Sequence, residues 1–333
     1  MKQGTELGIY LLTHFHSGHV KEIINFLGPI CPEVTFYVVG NQQDHSTKIE
    51  CQKHSWVNFI EVSCGFSTDD KIEFVLNNFS ENYCWIIGDG LLPEITTVLN
   101  LIKNSSSDVD TFHLLDISSR DIRKYFDRLE LKERIETSDV AFFFENFYWT
   151  STFLGSLIIS KSRVEAIRKE MASFKYTKTG FLFPTLLFNS LVSYRGRIEI
   201  VKLRYFLPNP KKELSMWVKD GRAFSIWLKS LKVSLDETNK ELNPFKNKVY
   251  IDCNLNNNNF TLRGLLKLRS YGAFDGNKLR AYKNELEIIT PFPFFLFVIS
   301  KLPIPISKFA LIPFKVRYLL KKKFIQFLIF RKS

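Results

Sequence analysis

The protein is a chain of 333 residues in which 45% are hydrophobic, enough to bury one large α/β core or two smaller ones, and this content excludes gross disorder. The formal net charge is +12, and the last 43 residues carry nine Lys or Arg and no Asp or Glu. Five cysteines, an odd number without a C-x-x-C pair, exclude a disulfide framework and a zinc ribbon, so we expect a protein of the reducing cytoplasm.

The first predicted element is a buried strand in "LGIYLLT", followed by a turn and a helix that ends at Gly28. The apolar residues of that helix, at helical spacing, are Val20, Ile23, Ile24 and Leu27. The opening apolar run is too short for a signal peptide, so we expect no secretion. The turn between strand and helix brings in His14, His16 and His19, which raises the question of a metal site.

Three further strands are predicted in "EVTFYVVG", "NFIEVS" and "YCWIIGDG". The third strand leads into the helix "CGFSTDDKIEFVLNNF", whose Ser and Asp residues can cap it, and the fourth leads into "ITTVLNLIKN". This alternation predicts a mainly parallel, doubly wound sheet whose ligands bind beyond the carboxyl ends of the strands. The histidine-rich turn and the turn at Asp89 both lie at such ends.

The second half of the chain has a less regular pattern. A strand in "TFHLLDISS" precedes an apolar segment and a helix, and we expect Pro184 to interrupt a later apolar helix, "GFLFPTLLFNSLVSY". "LPNPKKEL" is a candidate boundary, and "NPFKNKVY" and "LRGLLKLRSYG" are predicted to be helical. One further helical stripe consists of Phe224, Trp227, Leu228, Leu231 and Leu235.

The C-terminal tail combines apolar and basic residues. Its apolar run of about ten residues is well below the roughly twenty that a transmembrane helix needs, and prolines break it. Aliphatic and aromatic residues interleave with cations, a pattern typical of a segment that lies in the headgroup layer of an anionic membrane. The cations are Lys315, Arg317, Lys321, Lys322 and Lys323. A basic helix packed on the core is the alternative, whereas the prolines and aliphatic residues disfavour nucleic acid as a partner.

Two families resemble the histidine-rich turn. "THFHSGH" resembles the T-H-x-H-x-D-H signature of the metallo-β-lactamase superfamily, which would imply a zinc hydrolase that uses these histidines. That chemistry needs more histidines from later strands, but the last 220 residues contain none, and Gly18 replaces the Asp of the second metal site. A simpler zinc site formed by the three histidines alone, or a turn whose histidines merely face substrate, also fits the residues.

The second resemblance is to the family-2 glycosyltransferases of bacterial capsular and exopolysaccharide biosynthesis. "ENYCWIIGDGLLPEITTVLNLI" is similar to the segment of that family in which an aromatic strand ends in an Asp-rich turn and L-x-P. The matching residues are Trp85, Gly88, Asp89, Leu92 and Pro93. The resemblance implies the GT-A fold and makes Asp89 the metal or ribose contact, with Mn²⁺ or Mg²⁺ as cofactor. Gly90 and Leu91 stand where a further carboxylate is usual.

The same resemblance assigns the donor site. It places the nucleotide on the turn from Thr13 to His16, on the loop "NQQDHST" after the second strand, and on "CGFSTDD". The nucleotide-sugar contacts it implies are Thr13, His14, His16, Asn41, Asp44, Gly65, Asp70 and Asp89. For the acceptor half, an inverting transferase needs a carboxylate that takes the proton of the acceptor hydroxyl. The acid pair of the family is missing after "GSLIIS", so Glu145 and Asp116 are the candidate catalytic bases.

These features together predict a glycosyltransferase that is peripheral on the cytoplasmic face of the membrane. Residues 1–210 would form the catalytic domain, with a nucleotide-sugar half (1–115) and an acceptor half (116–210). Residues 211–290 would form a helical region and 291–333 the membrane-associating tail. The enzyme would move a sugar to a saccharide acceptor linked to polyprenyl diphosphate. The alternatives are the zinc hydrolase and an assembly partner that keeps the fold without activity.

Overall fold

The computed structural model describes residues 7–14, 16–28, 34–116, 132–208, 221–290 and 293–313. The chain divides into two compact units, one made of Met1–Glu213 with Val233–Val249 and one made of Leu214–Lys232 with Tyr250–Ser333. Most of the predicted boundary "LPNPKKEL" and all the cations of the tail from Lys315 onward lie outside the described residues.

In the part of the chain that the structure describes, an eight-stranded sheet forms the centre of the larger unit. Its strands are Leu7–Leu12 (β1), Val34–Asn41 (β2), Val57–Val62 (β3), Tyr83–Gly88 (β4), Val109–Asp116 (β6), Arg134–Thr137 (β7), Leu157–Ser160 (β8) and Arg197–Leu203 (β9). They lie in the order β3-β2-β1-β4-β8-β6-β9-β7. A separate two-stranded antiparallel ribbon pairs Leu91–Pro93 (β5) with Phe206–Pro208 (β10).

Parallel pairing joins β3, β2, β1 and β4, and it also joins β6 to β9. Strand β8 lies antiparallel between β4 and β6, and β7 lies antiparallel on β9. The predicted mainly parallel α/β sheet is therefore confirmed, whereas β7, β9 and the ribbon were not predicted. All six residues of β1 are buried, as expected of a strand with parallel neighbours on both sides.

The described helices of the larger unit that precede residue 195 are Ser17–Leu27 (α1), His45–Gln52 (α2), Thr68–Asn78 (α3), Ile95–Asn104 (α4), Val140–Ser151 (α5), Lys161–Ser173 (α6) and Leu182–Tyr194 (α7). Among them, α2 begins inside "NQQDHST", which was predicted to be a polar loop, and α5 covers a segment predicted only to be apolar. The others lie where helices were predicted. The expectation that Pro184 interrupts a helix is wrong. Pro184 is the third residue of α7, in the first turn, where a backbone N–H has no partner within the helix and its loss costs little.

The C-terminal part is helical, as predicted. Residues 222–236 form α8, which contains a π-helical stretch at Ser225–Ser230, and the five residues of the predicted apolar stripe are all buried. The later helices are Asn243–Asn256 (α9), Leu262–Ser270 (α10), Gly276–Ala281 (α11), Lys283–Ile289 (α12), Pro293–Lys301 (α13) and Ile304–Ala310 (α14). Among the described residues, every helix is too short or too polar to cross a bilayer.

Candidate functional site

The site lies where β1 and β4 end, because the two strands are in register. Leu12 pairs with Gly88, so the residues that follow, Thr13 and Asp89, leave the sheet side by side. The N–H of Thr13 still donates to the carbonyl of Val39 at 3.2 Å, which holds the start of the turn against β2. Past Asp89 the chain enters the β5–β10 ribbon, which fixes the other side of the turn.

The carboxylate of Asp89 gathers two side chains. The hydroxyl of Thr13 donates to Oδ2 of Asp89 at 2.9 Å, and Nδ1 of His16 lies 2.7 Å from the same oxygen. Thr13 is fully buried, Asp89 is largely buried, and the side chain of His16 is half exposed. The structure thus brings together three of the residues that the sequence assigned to the donor site.

His19 completes this cluster. It follows His16 by three residues, so both rings project from the first turn of α1, with their centroids 5.3 Å apart. One nitrogen from each ring and one carboxylate oxygen of Asp89 all lie within 4.8 Å of one another. His19 was not among the assigned donor-site residues, although its i, i+3 spacing from His16 is a signal that could have placed it there.

The side chain of Lys71, on α3, contacts the turn that carries Thr13 and His14. Its ammonium group is fully buried, donates to the carbonyl of Thr13 and lies 3.4 Å from Nδ1 of His14. Burial lowers the pKa of Lys71 to about 8, against the opposing charges of Asp89 and Asp44. Lys71 was not among the predicted site residues, although its i, i+4 spacing from the buried Val75 shows that it lies on the inner face of the helix.

The side chain of His14 contacts α3. Its Nε2 lies 3.3 Å from the hydroxyl of Thr68, and its Nδ1 faces Lys71. Burial, with a smaller contribution from the charge of Lys71, lowers the pKa of His14. The three histidines of "THFHSGH" therefore do not converge on one point, since only His16 and His19 share a cluster with Asp89.

The two residues after β2 that were assigned to the nucleotide-sugar, Asn41 and Asp44, have different surroundings. Asn41 is buried at the end of the strand, and its Oδ1 has no hydrogen-bond partner among the described residues. Asp44, also buried, caps α2: its carboxylate accepts from the N–H of Thr47 at 3.2 Å, from the hydroxyl of Thr47 at 2.6 Å and from Ser46 at 3.1 Å. These bonds give Asp44 a structural role, whereas the amide of Asn41 keeps an acceptor available.

The segment "CGFSTDD" holds the start of α3. Gly65 lies in an exposed turn, and a Cβ added there would meet nothing within 4 Å. Ser67 and Asp70 form a capping box, in which the N–H of Ser67 donates to Asp70 at 2.7 Å and Ser67 accepts from the N–H of Asp70. Asp70 also pairs with Lys178, and these bonds lower the pKa of Asp70 to about 2. The capping prediction is confirmed, and Asp70 is occupied by it.

The two candidate bases occupy different positions. Asp116 is the last residue of β6, which runs in the same direction as β4, so Asp116 and Asp89 mark the same edge of the sheet. Glu145 lies within α5, where it accepts a hydrogen bond from Nζ of Lys248 at 2.8 Å. Asp116 thus lies at the end of the sheet that carries the Asp89 cluster, and Glu145 lies on a helix.

Comparison with known proteins yields structural relatives alone. No family model matches the chain, and no curated protein matches it. Among solved structures, S. aureus TarS is similar with a TM-score of 0.53 and 11% identity, over 89% of this chain and 88% of TarS. The mannosyltransferase PcManGT from Pyrobaculum calidifontis is similar with a TM-score of 0.50 and 12% identity, over 90% of this chain and 86% of that one.

The chain has the GT-A fold. At identities this low, the likeness establishes the fold and leaves substrate and reaction open. The GT-A sheet also decides between the two readings of the histidine-rich turn. A metallo-β-lactamase-like hydrolase would need a different fold and converging histidines, so that alternative is wrong for this chain.

Proposed function

We propose that the protein is a glycosyltransferase that uses a nucleotide-sugar donor. The observation that carries the proposal is the position of Asp89 at the adjoining ends of β1 and β4 in a GT-A sheet, with Thr13 and His16 bonded to its carboxylate. Ligands of open α/β sheets bind at such strand ends. The structure of PcManGT, which contains GDP-mannose and Mn²⁺, has the same fold and supports this assignment.

The donor would lie across the ends of β1, β2 and β4. The free acceptor of Asn41 suits an N–H of the base or a hydroxyl of the ribose, and the half-exposed ring of His16 suits either. Asp89 would hold a divalent cation, Mn²⁺ or Mg²⁺, which when bound would offset the charge of the departing diphosphate. The fully buried Lys71 adds positive charge beneath the same turn.

In an inverting transfer, the acceptor oxygen bonds to C1 of the sugar while the bond from C1 to the phosphate oxygen breaks. A carboxylate takes the proton that the acceptor hydroxyl loses. We favour Asp116 for this step because it lies at the edge of the sheet that carries Asp89. Glu145, which lies within α5 and pairs with Lys248, is the other candidate.

The acceptor, by this proposal, is a saccharide linked to polyprenyl diphosphate, and the product is a capsular or exopolysaccharide repeat. Residues 1–115 would bind the donor and 116–210 the acceptor. Residues 211–290 would form a helical region, and 291–333 would hold the enzyme on the cytoplasmic face of the membrane. The exposed aromatic residues of α13 and α14 support membrane contact: Phe294 is 71% exposed and Phe309 is 73% exposed. An acceptor that never leaves the bilayer requires an enzyme that comes to it.

The first test is thermal unfolding of the purified protein with UDP-, GDP-, dTDP- and CMP-sugars, each with and without Mn²⁺ or Mg²⁺. A ligand at a hundredfold excess over its dissociation constant stabilises the folded state by about 2.7 kcal/mol. We expect one nucleotide class to raise the Tm of the wild type and of Asp108→Ala, which removes an exposed carboxylate at the opposite end of β6. We expect Asp89→Ala to abolish the shift. An equal shift in Asp89→Ala, or no shift with any donor, would refute the proposal.

A second function is favoured by one observation, the Gly90 that follows Asp89 in place of a further carboxylate. With so few acids, the protein could keep the fold as a non-catalytic partner of other transferases. Single-turnover assays with the nucleotide-sugar identified above separate the two functions. Binding without transfer or hydrolysis would favour the assembly partner, whereas release of the nucleoside diphosphate would favour the enzyme.

A further inference from the structure

We infer that His16, His19 and Asp89 form one metal site, and that this site takes an imidazole-binding transition ion such as Mn²⁺, Co²⁺ or Zn²⁺ in preference to Mg²⁺. The inference rests on the proposed function for the use of the ion, and it narrows the choice of cofactor for that same site. Its basis is the convergence of two rings and one carboxylate from two segments that the β1–β4 register brings together.

The geometry fits an ion. Ligand atoms that each bind a metal at about 2.1 Å can stand at most about 4.2 Å apart. The three ligand atoms here lie within 4.8 Å of one another, and Nδ1 of His16 is already 2.7 Å from the carboxylate of Asp89. Small side-chain rotations therefore close the group on a single ion.

The hydrogen bonds around the cluster point the same way. Nδ1 of His19 is buried and has no hydrogen-bond partner among the described residues, which is costly for a polar atom unless something else binds there. The hydroxyl of Thr13 donates to Oδ2 of Asp89, the same oxygen that Nδ1 of His16 approaches, and carboxylate ligands are commonly oriented by such an outer hydrogen bond. The exposed side of His16 leaves the cluster open to solvent and to a phosphate.

The donor set selects the kind of ion. Two imidazoles and one carboxylate suit first-row transition ions and leave coordination positions open, whereas Mg²⁺ prefers oxygen ligands in a strict octahedron. A second carboxylate at position 90 would have favoured Mg²⁺, but glycine stands there. The open positions would be available to the diphosphate oxygens of the donor.

The test is Co²⁺ titration of the full chain after chelator treatment, followed by visible absorption and metal analysis, without nucleotide. We expect one equivalent of Co²⁺, displaced by Zn²⁺ and retained against a large excess of Mg²⁺, and we expect Mn²⁺ to bind more weakly than Co²⁺. His19→Ala and His16→Ala should each weaken binding at least about tenfold, since losing even an outer partner costs that much. His45→Ala, an exposed histidine of α2, is the matched control and should bind as the wild type does.

Three results would overturn the inference: no stoichiometric Co²⁺, displacement by equimolar Mg²⁺, or wild-type affinity in folded His19→Ala and His16→Ala. Loss of Co²⁺ binding in folded His14→Ala would show that His14 is a ligand, and it would likewise overturn the inference. The outcome is separable from that of the proposed function. A nucleotide-dependent rise in Tm without Co²⁺ binding would support the transferase function and refute the metal site. Co²⁺ binding with no response to any nucleotide-sugar would support the metal site and refute the transferase function.

Discussion

Lys71 is a buried side chain that contacts the turn after β1. Its buried ammonium group bonds the main-chain oxygen of Thr13 and faces a ring nitrogen of His14, so one side chain from α3 holds two consecutive residues of the turn. A charged lysine in such a place costs free energy because burial removes its hydration. The lowered pKa, about 8 instead of 10.5, is the measure of that cost.

The Lys71 pKa predicts how stability changes with pH. Between about pH 8 and 10.5 the unfolded chain binds a proton at Lys71 that the folded chain has released, so the free energy of unfolding rises with pH across this window. Lys71→Met lacks this contribution. We therefore expect the wild type to gain stability relative to Lys71→Met, on the order of 1 kcal/mol per pH unit at most, in urea unfolding from pH 8 to 10.

The buried tyrosines and cysteines titrate in both the wild type and Lys71→Met, so their contributions to the pH dependence of stability cancel in the difference. Lys175→Met removes an exposed lysine and serves as the matched control, whose stability should follow that of the wild type across the range. A constant difference between the wild type and Lys71→Met from pH 8 to 10 would mean that Lys71 is not desolvated as the structure has it.

The side chains around Asp89 were predictable where they follow strands and not where they come from helices. Thr13 and Asp89 come directly after β1 and β4, and parallel register places them together. Asp44 and Asp70 were assigned to the nucleotide from the resemblance to the family-2 glycosyltransferases, and in the structure both cap helices, because an Asp near a helix start accepts readily from its free N–H groups. Lys71 was not predicted because the pattern of a helix shows which of its faces is buried but not which residues pack against that face.

At the scale of elements, the strands in the first half of the chain could be predicted from the sequence, because a helix or a polar loop marks the end of each one. The second half did not, because β8 inserts antiparallel between β4 and β6, a pairing between residues more than forty apart along the chain. Strand β9, "RIEIVKL", alternates in sequence but was not recognised between α7 and the proline-rich segment. Long-range pairing of this kind leaves no local signal in a single chain.

Gly155, just before β8, is closely packed in a backbone conformation that favours glycine. Its φ is +95°, and an added Cβ would lie 2.3 Å from the ring of Phe206, which stacks on the buried Trp85. The indole N–H of Trp85 also donates to the carbonyl of Gly155 at 2.8 Å. We expect Gly155→Ala to lower the free energy of unfolding by about 1–3 kcal/mol, since the new methyl group strains the backbone and displaces a packed ring.

Urea unfolding followed by tryptophan fluorescence measures this change directly. Gly65→Ala is the control, since a Cβ there meets nothing and the backbone needs no left-handed conformation. If Gly155→Ala were as stable as Gly65→Ala, the ring of Phe206 would not lie against Gly155 as the structure has it.

The capping box of α3 is a second test at this scale, because α3 carries Lys71. Ser67→Ala removes the hydroxyl that accepts from the N–H of Asp70, and we expect it to destabilise the fold by about 0.5–2 kcal/mol. Ser63→Ala, an exposed serine four residues earlier, should change stability little. Equal effects of the two substitutions, measured by urea unfolding, would show that the box does not hold the helix start.

At the scale of the whole molecule, charge and apolar exposure concentrate in the same C-terminal stretch. Nine cations and no acids fall in the last 43 residues, and within them Phe294, Phe297 and Phe309 are each more than half exposed on α13 and α14. Lys301 and Lys308 stand on the same two helices. Aromatic side chains with neighbouring lysines suit the interface of an anionic bilayer, where rings enter the acyl boundary and ammonium groups meet lipid phosphates.

The membrane contact is tested by sedimentation of the full chain with vesicles of phosphatidylcholine, with and without phosphatidylglycerol. We expect binding to the anionic vesicles that weakens as NaCl rises from 0.1 to 1 M, because the screening length falls from about 10 Å to about 3 Å. The double variant Phe294→Ser, Phe309→Ser should bind at least about tenfold more weakly, since each buried ring contributes about 1.5–3 kcal/mol. Phe174→Ser, which removes a ring that is 52% exposed outside the C-terminal helices, should bind as the wild type does. Equal affinity of the double variant and Phe174→Ser would leave the cations alone as the membrane contact, and failure of the wild type to sediment with anionic vesicles would remove the membrane from the proposed function.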